Sequence, residues 1–160
     1  MISCTFENGN KANLRHVTIG ALVLNSKKEI LLVKRPKSIV GEGKLTIPGG
    51  FLDRKENTAE GALRELREET GYKGTVQALF QINDNPRRPK EDRQNVDFIY
   101  LISLGEKGTV GTPDEVRESI WFSEENLPGE DQFAFDHRNI ILRYFQYLKN
   151  PFELPIVGPV

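Results

Sequence analysis

The chain has 160 residues, of which 38% are hydrophobic and 28% charged, with a formal net charge of −1. That length suits one domain whose core holds without disulfide or metal staples, and the near-neutral balance argues against nucleic-acid or membrane binding by bulk charge. The lone cysteine, Cys4, excludes an intrachain disulfide and a cysteine-based zinc ribbon.

The first residues, MISCTFENGNKANLR, lack the apolar core of a signal peptide, and no apolar run approaches the length of a membrane span. A reducing, cytoplasmic setting is therefore expected, with Cys4 a free thiol near a loose N-terminus. Residues 17–24 (VTIGALVL) are β-branched and apolar and predict a buried strand. A turn over 25–28 leads to a hairpin partner over 29–35 (EILLVKR), which Pro36 ends because proline cannot continue a ladder. After a glycine-bearing loop, 45–47 predicts a short strand that stops at Pro48-Gly49-Gly50.

A helix is predicted over 58–70, with Asn57 or Thr58 as N-cap, Asn57 and Glu60 as an approximate capping box, and Gly71 as C-cap. Strands over 75–82 and 96–104 enclose a long polar loop, NDNPRRPKEDRQN. A short strand over 119–122 follows. A second helix over 135–149 carries Ile140, Ile141, Tyr144, Phe145 and Leu148 on one stripe, and an irregular Pro- and Gly-rich tail closes the chain. Strands interrupted by one helix and closed by another predict an α/β fold with helices packed on a mixed sheet.

At ~100° per residue, Ala59, Ala62, Leu63, Leu66 and Thr70 share the core face of the first helix. Glu65, Glu68 and Glu69 are neighbours on another face. Like charges at this spacing repel, and the last two turns are where the helix dipole disfavours negative charge. A hard divalent cation such as Mg²⁺ or Mn²⁺ would remove that repulsion. A solvated Glu/Arg surface is the plainer alternative, and context decides against it. Gly50, Glu56, Arg64, Glu65, Glu68, Glu69 and Gly71 fit one fixed pattern, G-x5-E-x7-R-E-U-x-E-E-x-G-U with U apolar. Its chance occurrence in such a chain is on the order of one in 10⁵.

On these residues the sequence resembles the Nudix hydrolases, with residues 50–72 (GFLDRKENTAEGALRELREETGY) forming a complete Nudix box apart from Tyr72, where an aliphatic residue is usual. The resemblance implies an α/β/α sandwich around a mixed sheet, the box as loop–helix–loop, and one Nudix domain over 1–160. It implies hydrolysis of a nucleoside diphosphate linked to another group. Glu65, Glu68 and Glu69 would be metal ligands, with a backbone carbonyl near Gly49 or Gly50. Glu56 would support them, and Arg64 would hold a glutamate in position. The cofactor would be Mg²⁺, with Mn²⁺ as a substitute.

In this family a general base often lies outside the box. Glu115 is the candidate here, with Asp114, Glu118 and Asp92 as rivals and a solvated loop charge as an equal alternative. Pro86, at its spacing after the box, resembles the ADP-ribose pyrophosphatase subgroup, and Arg87, Arg88 and Arg93 sit where such a loop would reach phosphate or ribose. Phe51, Phe80, Phe98, Tyr100, Phe133 and Phe135 are candidate stacking faces, of which most read more readily as core, and Phe51 is counted among the substrate-binding residues. His16 and His137 read as structural. ADP-ribose or a similar nucleotide sugar is the expected substrate, with a nucleoside triphosphate pyrophosphohydrolase as the second reading and a non-catalytic nucleotide sensor as the third. A small-molecule nucleotide partner is expected, with neither membrane nor nucleic acid, and relatives of this kind are often homodimers.

Overall fold

The structure, a computed structural model, describes residues 2–36, 40–88, 94–108 and 118–159. An eight-stranded mixed sheet runs in the order β10-β7-β8-β3-β4-β5, with β6 beside β3 and β9 beside β4. Its strands are β3 (Val17–Leu24), β4 (Ile30–Lys34), β5 (Leu45–Thr46), β6 (Gly49–Phe51), β7 (Tyr72–Asn83), β8 (Val96–Lys107), β9 (Ser119–Phe122) and β10 (Ile156–Val157). Two helices, α1 (Thr58–Thr70) and α2 (His137–Lys149), cover its two faces. No helix among the described residues is long and apolar enough to cross a membrane.

The apolar run of β3 explains the sandwich. A strand buried on one face alternates, whereas one buried on both is apolar throughout. Ile19, Ala21 and Val23 pack with Ala62 and Leu66 of α1, while Leu22 packs with Ile140, Ile141 and Phe145 of α2. β8 divides in the same way, sending Tyr100 and Ile102 to the first cluster and Ile99 and Leu101 to the second. The expected α/β/α sandwich is the fold observed.

Several expectations change in detail. The hairpin of β3 and β4 is brief, with Leu24 opposite Ile30. Further back, β3 pairs in parallel with β8 and in antiparallel with β6, so the Gly49-Gly50 segment expected to end a strand is itself a strand. The loose N-terminus is instead a hairpin of β1 (Ile2–Thr5) and β2 (Lys11–Leu14), with Cys4 opposite Ala12. The tail pairs in parallel with β7 through β10. α2 starts two residues later than predicted because Phe135 is left-handed, at φ 54°. Leu148, assigned to the buried stripe, is 43% exposed.

Candidate active site

Local sequence positions α1 tightly. The Asn57 side chain accepts from the backbone N–H groups of Ala59 (3.1 Å) and Glu60 (3.0 Å), and Glu60 returns a bond to the Asn57 N–H (2.9 Å). Gly71, left-handed at φ 76°, closes the helix and donates to Arg67 O. Such caps each stabilise by about 1 kcal/mol and set the helix register. That register turns two neighbouring stripes inward: Ala62, Leu66 and Thr70 to the core, as predicted, and also Gly61 and Glu69.

The acidic face is organised around Arg64. Its Nε and Nη2 donate to both oxygens of Glu56 at 2.9 and 2.7 Å. Its Nη1 donates to Glu65 Oε1 (2.9 Å) and Glu68 Oε2 (2.8 Å), and Nη2 also reaches Phe51 O at 3.0 Å. Arg64 thus spans the cluster, bonding three glutamates at once. The Glu56 hydrogen bond leads the contacts that hold the guanidinium charged far above its ordinary range. The bond from Arg64 in turn holds the Glu56 carboxyl below the usual carboxylate range.

Glycines bring the box loop against these carboxylates. A Cβ on Gly50 would lie 2.3 Å from Glu65 Oε1, so the Glu65 carboxylate occupies the space a side chain would fill. One on Gly61 would lie 2.8 Å from Glu56 Oε1. The adjacent Gly49 N–H donates to Glu69 Oε2 at 3.0 Å, and Glu69 is 2% exposed. Gly50→Ala is expected to cost little stability, because the clashing atoms end a flexible side chain. It should lower turnover by on the order of tenfold or more, because Glu65 must leave its place. Thermal melting and steady-state kinetics check both halves.

The donor set suits a hard divalent cation, since it offers carboxylate and backbone oxygens and no sulfur or imidazole. Among the described residues no three acidic, histidine or cysteine side chains already converge as a closed cage. Arg64 draws one oxygen each of Glu65 and Glu68 to itself, while Glu69 is turned to the Gly49 amide. Three carboxylates on adjacent turns, with backbone oxygens beside them, fit such an ion after a modest side-chain rearrangement.

The other candidates scatter. Pro86 and Arg87 are exposed, and the Arg87 N–H donates to Asn85 Oδ1 at 2.9 Å. Arg88 turns inward: its Nε bonds Asp136 Oδ1 at 2.6 Å and its Nη2 meets Asp97 Oδ2 at 3.1 Å. That commits its charge to the interior, under the ring of Phe135, and not to a surface loop as expected. Arg93 and Glu115, with the rivals Asp92 and Asp114, lie outside the described residues. Glu118 is exposed and 3.5 Å from Lys34 Nζ. Of the six aromatic candidates, Phe80, Phe133 and Tyr100 are core. Phe51 is 45% exposed, with the His16 ring edge-on at 5.2 Å. Tyr72 is half-buried and meets Trp121 edge-on at 5.9 Å.

Sequence reading missed the interior polar network. Asn83 Nδ2 donates to Asp136 Oδ2 at 2.8 Å, completing a set with Arg88 and Asp97. The signal was an aspartate inside the apolar strand VDFIYL. Arg15 was missed too; it donates to the carbonyls of Asp84 and Asn95, at 2.7 and 3.0 Å, and so ties both feet of the polar loop.

His137 is buried beside this network, and its Nδ1 accepts from the Ile47 N–H at 3.3 Å, which requires a neutral ring. Burial, reinforced by the charges of Arg88 and Arg35 and opposed by Asp136, pushes its pKa down to about 3. Below about pH 6.5 the unfolded chain binds a proton here that the folded chain does not, so stability falls with pH through the window down to about 3. The expected loss by pH 4.5 is on the order of 2 kcal/mol. His137→Gln keeps an acceptor for Ile47 and should flatten the melting temperature between pH 6.5 and 4.5. An unchanged slope would contradict this role.

A model of the NUDIX domain matches residues 14–144. The chain belongs to the Nudix hydrolase family. It is similar to an ADP-ribose pyrophosphatase of Methanocaldococcus jannaschii, 33% identical over 125 residues that make up 78% of this chain and 70% of that one. It is also similar to the Danio rerio 8-oxo-dGDP phosphatase NUDT18, 30% identical over 148 residues, 89% of this chain and 42% of that one. Among solved structures, a NUDIX hydrolase from Nitrosomonas europaea superposes with a TM-score of 0.74 at 19% identity, covering 99% of this chain and 93% of that one, and shows the shared fold. Hydrolases of this family generally use divalent metals such as Mg²⁺.

Proposed function

We propose that this protein hydrolyses the pyrophosphate bond of a nucleoside diphosphate linked to a second group, with ADP-ribose or a similar nucleotide sugar as substrate and Mg²⁺ as cofactor. The observation that carries the reading is the acidic cluster on α1, gathered by Arg64 against the glycines of the box loop. The name of the M. jannaschii relative supports the substrate class. The reading takes residues 1–160 as one Nudix domain in a cytoplasmic setting. Homodimerisation is part of it as a family expectation.

In this reading Glu65, Glu68 and Glu69 hold the cation, with the backbone carbonyl near Gly50 beside them. When bound, Mg²⁺ neutralises phosphate oxygens and lowers the pKa of a water. Arg64 holds Glu65 and Glu68 in register, and Glu56 holds Arg64 by two short bonds. Glu115 takes the proton of the attacking water. Arg87, with Arg93, binds phosphate or ribose from the loop after Pro86, while Arg88 anchors that loop through Asp97 and Asp136.

The test is product analysis across ADP-ribose, other nucleotide sugars, NADH, dinucleoside polyphosphates and common and oxidised triphosphates, with Mg²⁺. AMP plus a sugar phosphate is the expected result. A second reading, hydrolysis of oxidised nucleotides, is favoured by the name of the zebrafish relative. Release of a nucleoside monophosphate from an oxidised nucleotide, with orthophosphate from a diphosphate or pyrophosphate from a triphosphate, would support it. Absence of turnover on every compound would point to a nucleotide sensor and overturn both.

A further inference from the structure

The consecutive residues 15–18 stand between the polar loop and the acidic cluster and hold both. On one side, Arg15 Nε donates to Gln94 O at 2.5 Å, and its Nη2 donates to Asp84 O at 2.7 Å and Asn95 O at 3.0 Å. The carbonyl of His16 accepts from the Val96 N–H at 2.9 Å. On the other side, the carbonyl of Val17 accepts from the Leu52 N–H at 3.1 Å, and Thr18 pairs with Phe51. The Phe51 carbonyl in turn accepts from Arg64 Nη2, on the guanidinium that gathers Glu65 and Glu68. The main chain of β3 therefore sets the distance from the box to β8, and Arg15 extends that hold to the ends of the loop.

The strand ladder alone does not account for those ends. β7 and β8 pair as far as Asn83 opposite Asp97. Asp84, Gln94 and Asn95 lie beyond that pair, on the two arms of the loop. Gln94 is left-handed at φ 53°, a conformation that a residue other than glycine keeps only where its surroundings enforce it. Its carbonyl is the one that takes Arg15 Nε. Arg15 is half-buried, and its planar fork meets both arms at once. All three acceptors are main-chain oxygens, so the contact fixes the backbone whatever side chains the loop carries.

We propose that Arg15 is a positioning residue for the hydrolysis: by holding both arms of the loop, it places Pro86 and Arg87 at a fixed distance from the carboxylates of α1. Substrate held by the loop then arrives with its pyrophosphate bond at the cation, and a misplacement of about 1 Å there costs on the order of 10²-fold in rate. Arg15 itself touches neither substrate nor metal in this role. The proposal rests on the reading of the protein as a nucleoside diphosphate hydrolase whose loop meets the substrate.

The experiment compares the wild-type chain with Arg15→Ala and Arg15→Lys in steady-state kinetics on ADP-ribose with Mg²⁺, in Mn²⁺ affinity, and in amide hydrogen exchange at residues 84–88 and 94–96. Arg15→Ala is expected to lower kcat/KM by about tenfold or more, with the larger part in KM. Its Mn²⁺ affinity should be unchanged, and exchange should accelerate around the loop and not in α1. Methylguanidine at a non-denaturing concentration should restore part of the KM, which it would not do for a protein that is merely unstable. Arg15→Lys keeps the charge without the fork and should fall between the two, and it supplies the comparison if the alanine variant does not fold. A folded variant with kcat/KM within about twofold of wild type would overturn the positioning role. Mn²⁺ affinity falling in step with activity would overturn it too, because the effect would then run through the box. If wild type hydrolyses no nucleotide, the enzymatic reading falls, and local exchange alone decides whether Arg15 holds the loop.

Discussion

Replacing Glu69 by glutamine is expected to remove nearly all turnover, on the order of 10³-fold or more, while the protein melts at or slightly above the wild-type temperature. Glu69 is 2% exposed, and its Oε2 accepts from the Gly49 N–H at 3.0 Å. A glutamine oxygen can accept the same bond in the same space. What the change removes is charge. Glu69 lies one residue from Glu68 and one turn from Glu65, near the C-terminal end of α1, where the helix dipole disfavours an anion. Neutralising it relieves repulsion worth a few tenths of a kcal/mol. A side chain present only for folding would show loss of stability with loss of activity; this one should show loss of activity alone. Near-normal turnover in a folded variant would contradict its place in the metal site.

The largest stability effect is expected at Arg88. Its guanidinium serves two buried carboxylates, Asp97 and Asp136, with side chains 5% and 7% exposed. Burial pulls the Asp97 carboxyl up against the pull of Arg88. Burial also pulls on Asp136, but Arg88 and the Asn83 bond outweigh it and hold that group low. Arg88→Met would leave both carboxylates without the cation. Breaking a buried pair in this way costs about 3–5 kcal/mol. For a domain of this size that lowers the melting temperature by roughly 10 °C. Asp97→Asn in the same background should recover part of the loss. Arg87→Met, one residue earlier and exposed, should stay within about 0.5 kcal/mol of wild type. Urea denaturation of the variants separates these outcomes, and an Arg88→Met protein as stable as wild type would contradict the anchoring role.

The contrast between Arg87 and Arg88 shows where sequence reading stopped. Both stood in a polar, proline-bearing loop, and nothing local told them apart. The partners of Arg88 come from β8 and the start of α2, separated from it in the chain and joined only by the fold. What was legible was local or periodic. β3 and α1 fall on the predicted residues because an apolar run buried on both faces, an Asn57–Glu60 capping box and a Gly71 cap are written in consecutive residues. β6 was hidden because Gly49 and Gly50 have no intrinsic strand preference; their pairing with Gly20 and Ile19 is tertiary. The N-terminal hairpin was hidden because its strands, ISCT and KANL, are short and mostly exposed. The helical wheel gathered Glu65, Glu68 and Glu69 on a face apart from the core, whereas Glu69 is buried. The burial of Glu69 follows from the box loop folding over the helix, which required Gly49 and Gly50 to approach it closely.

The claim on which the account turns is that the acidic face of α1 holds a divalent cation. The direct measurement is Mn²⁺ binding by electron paramagnetic resonance, comparing the wild-type protein with Glu65→Gln/Glu68→Gln. The account predicts saturable loss of the free Mn²⁺ signal with wild type, competed by Mg²⁺, and affinity at least tenfold weaker in the double variant at unchanged fold. Equal Mn²⁺ binding by the two proteins would contradict it.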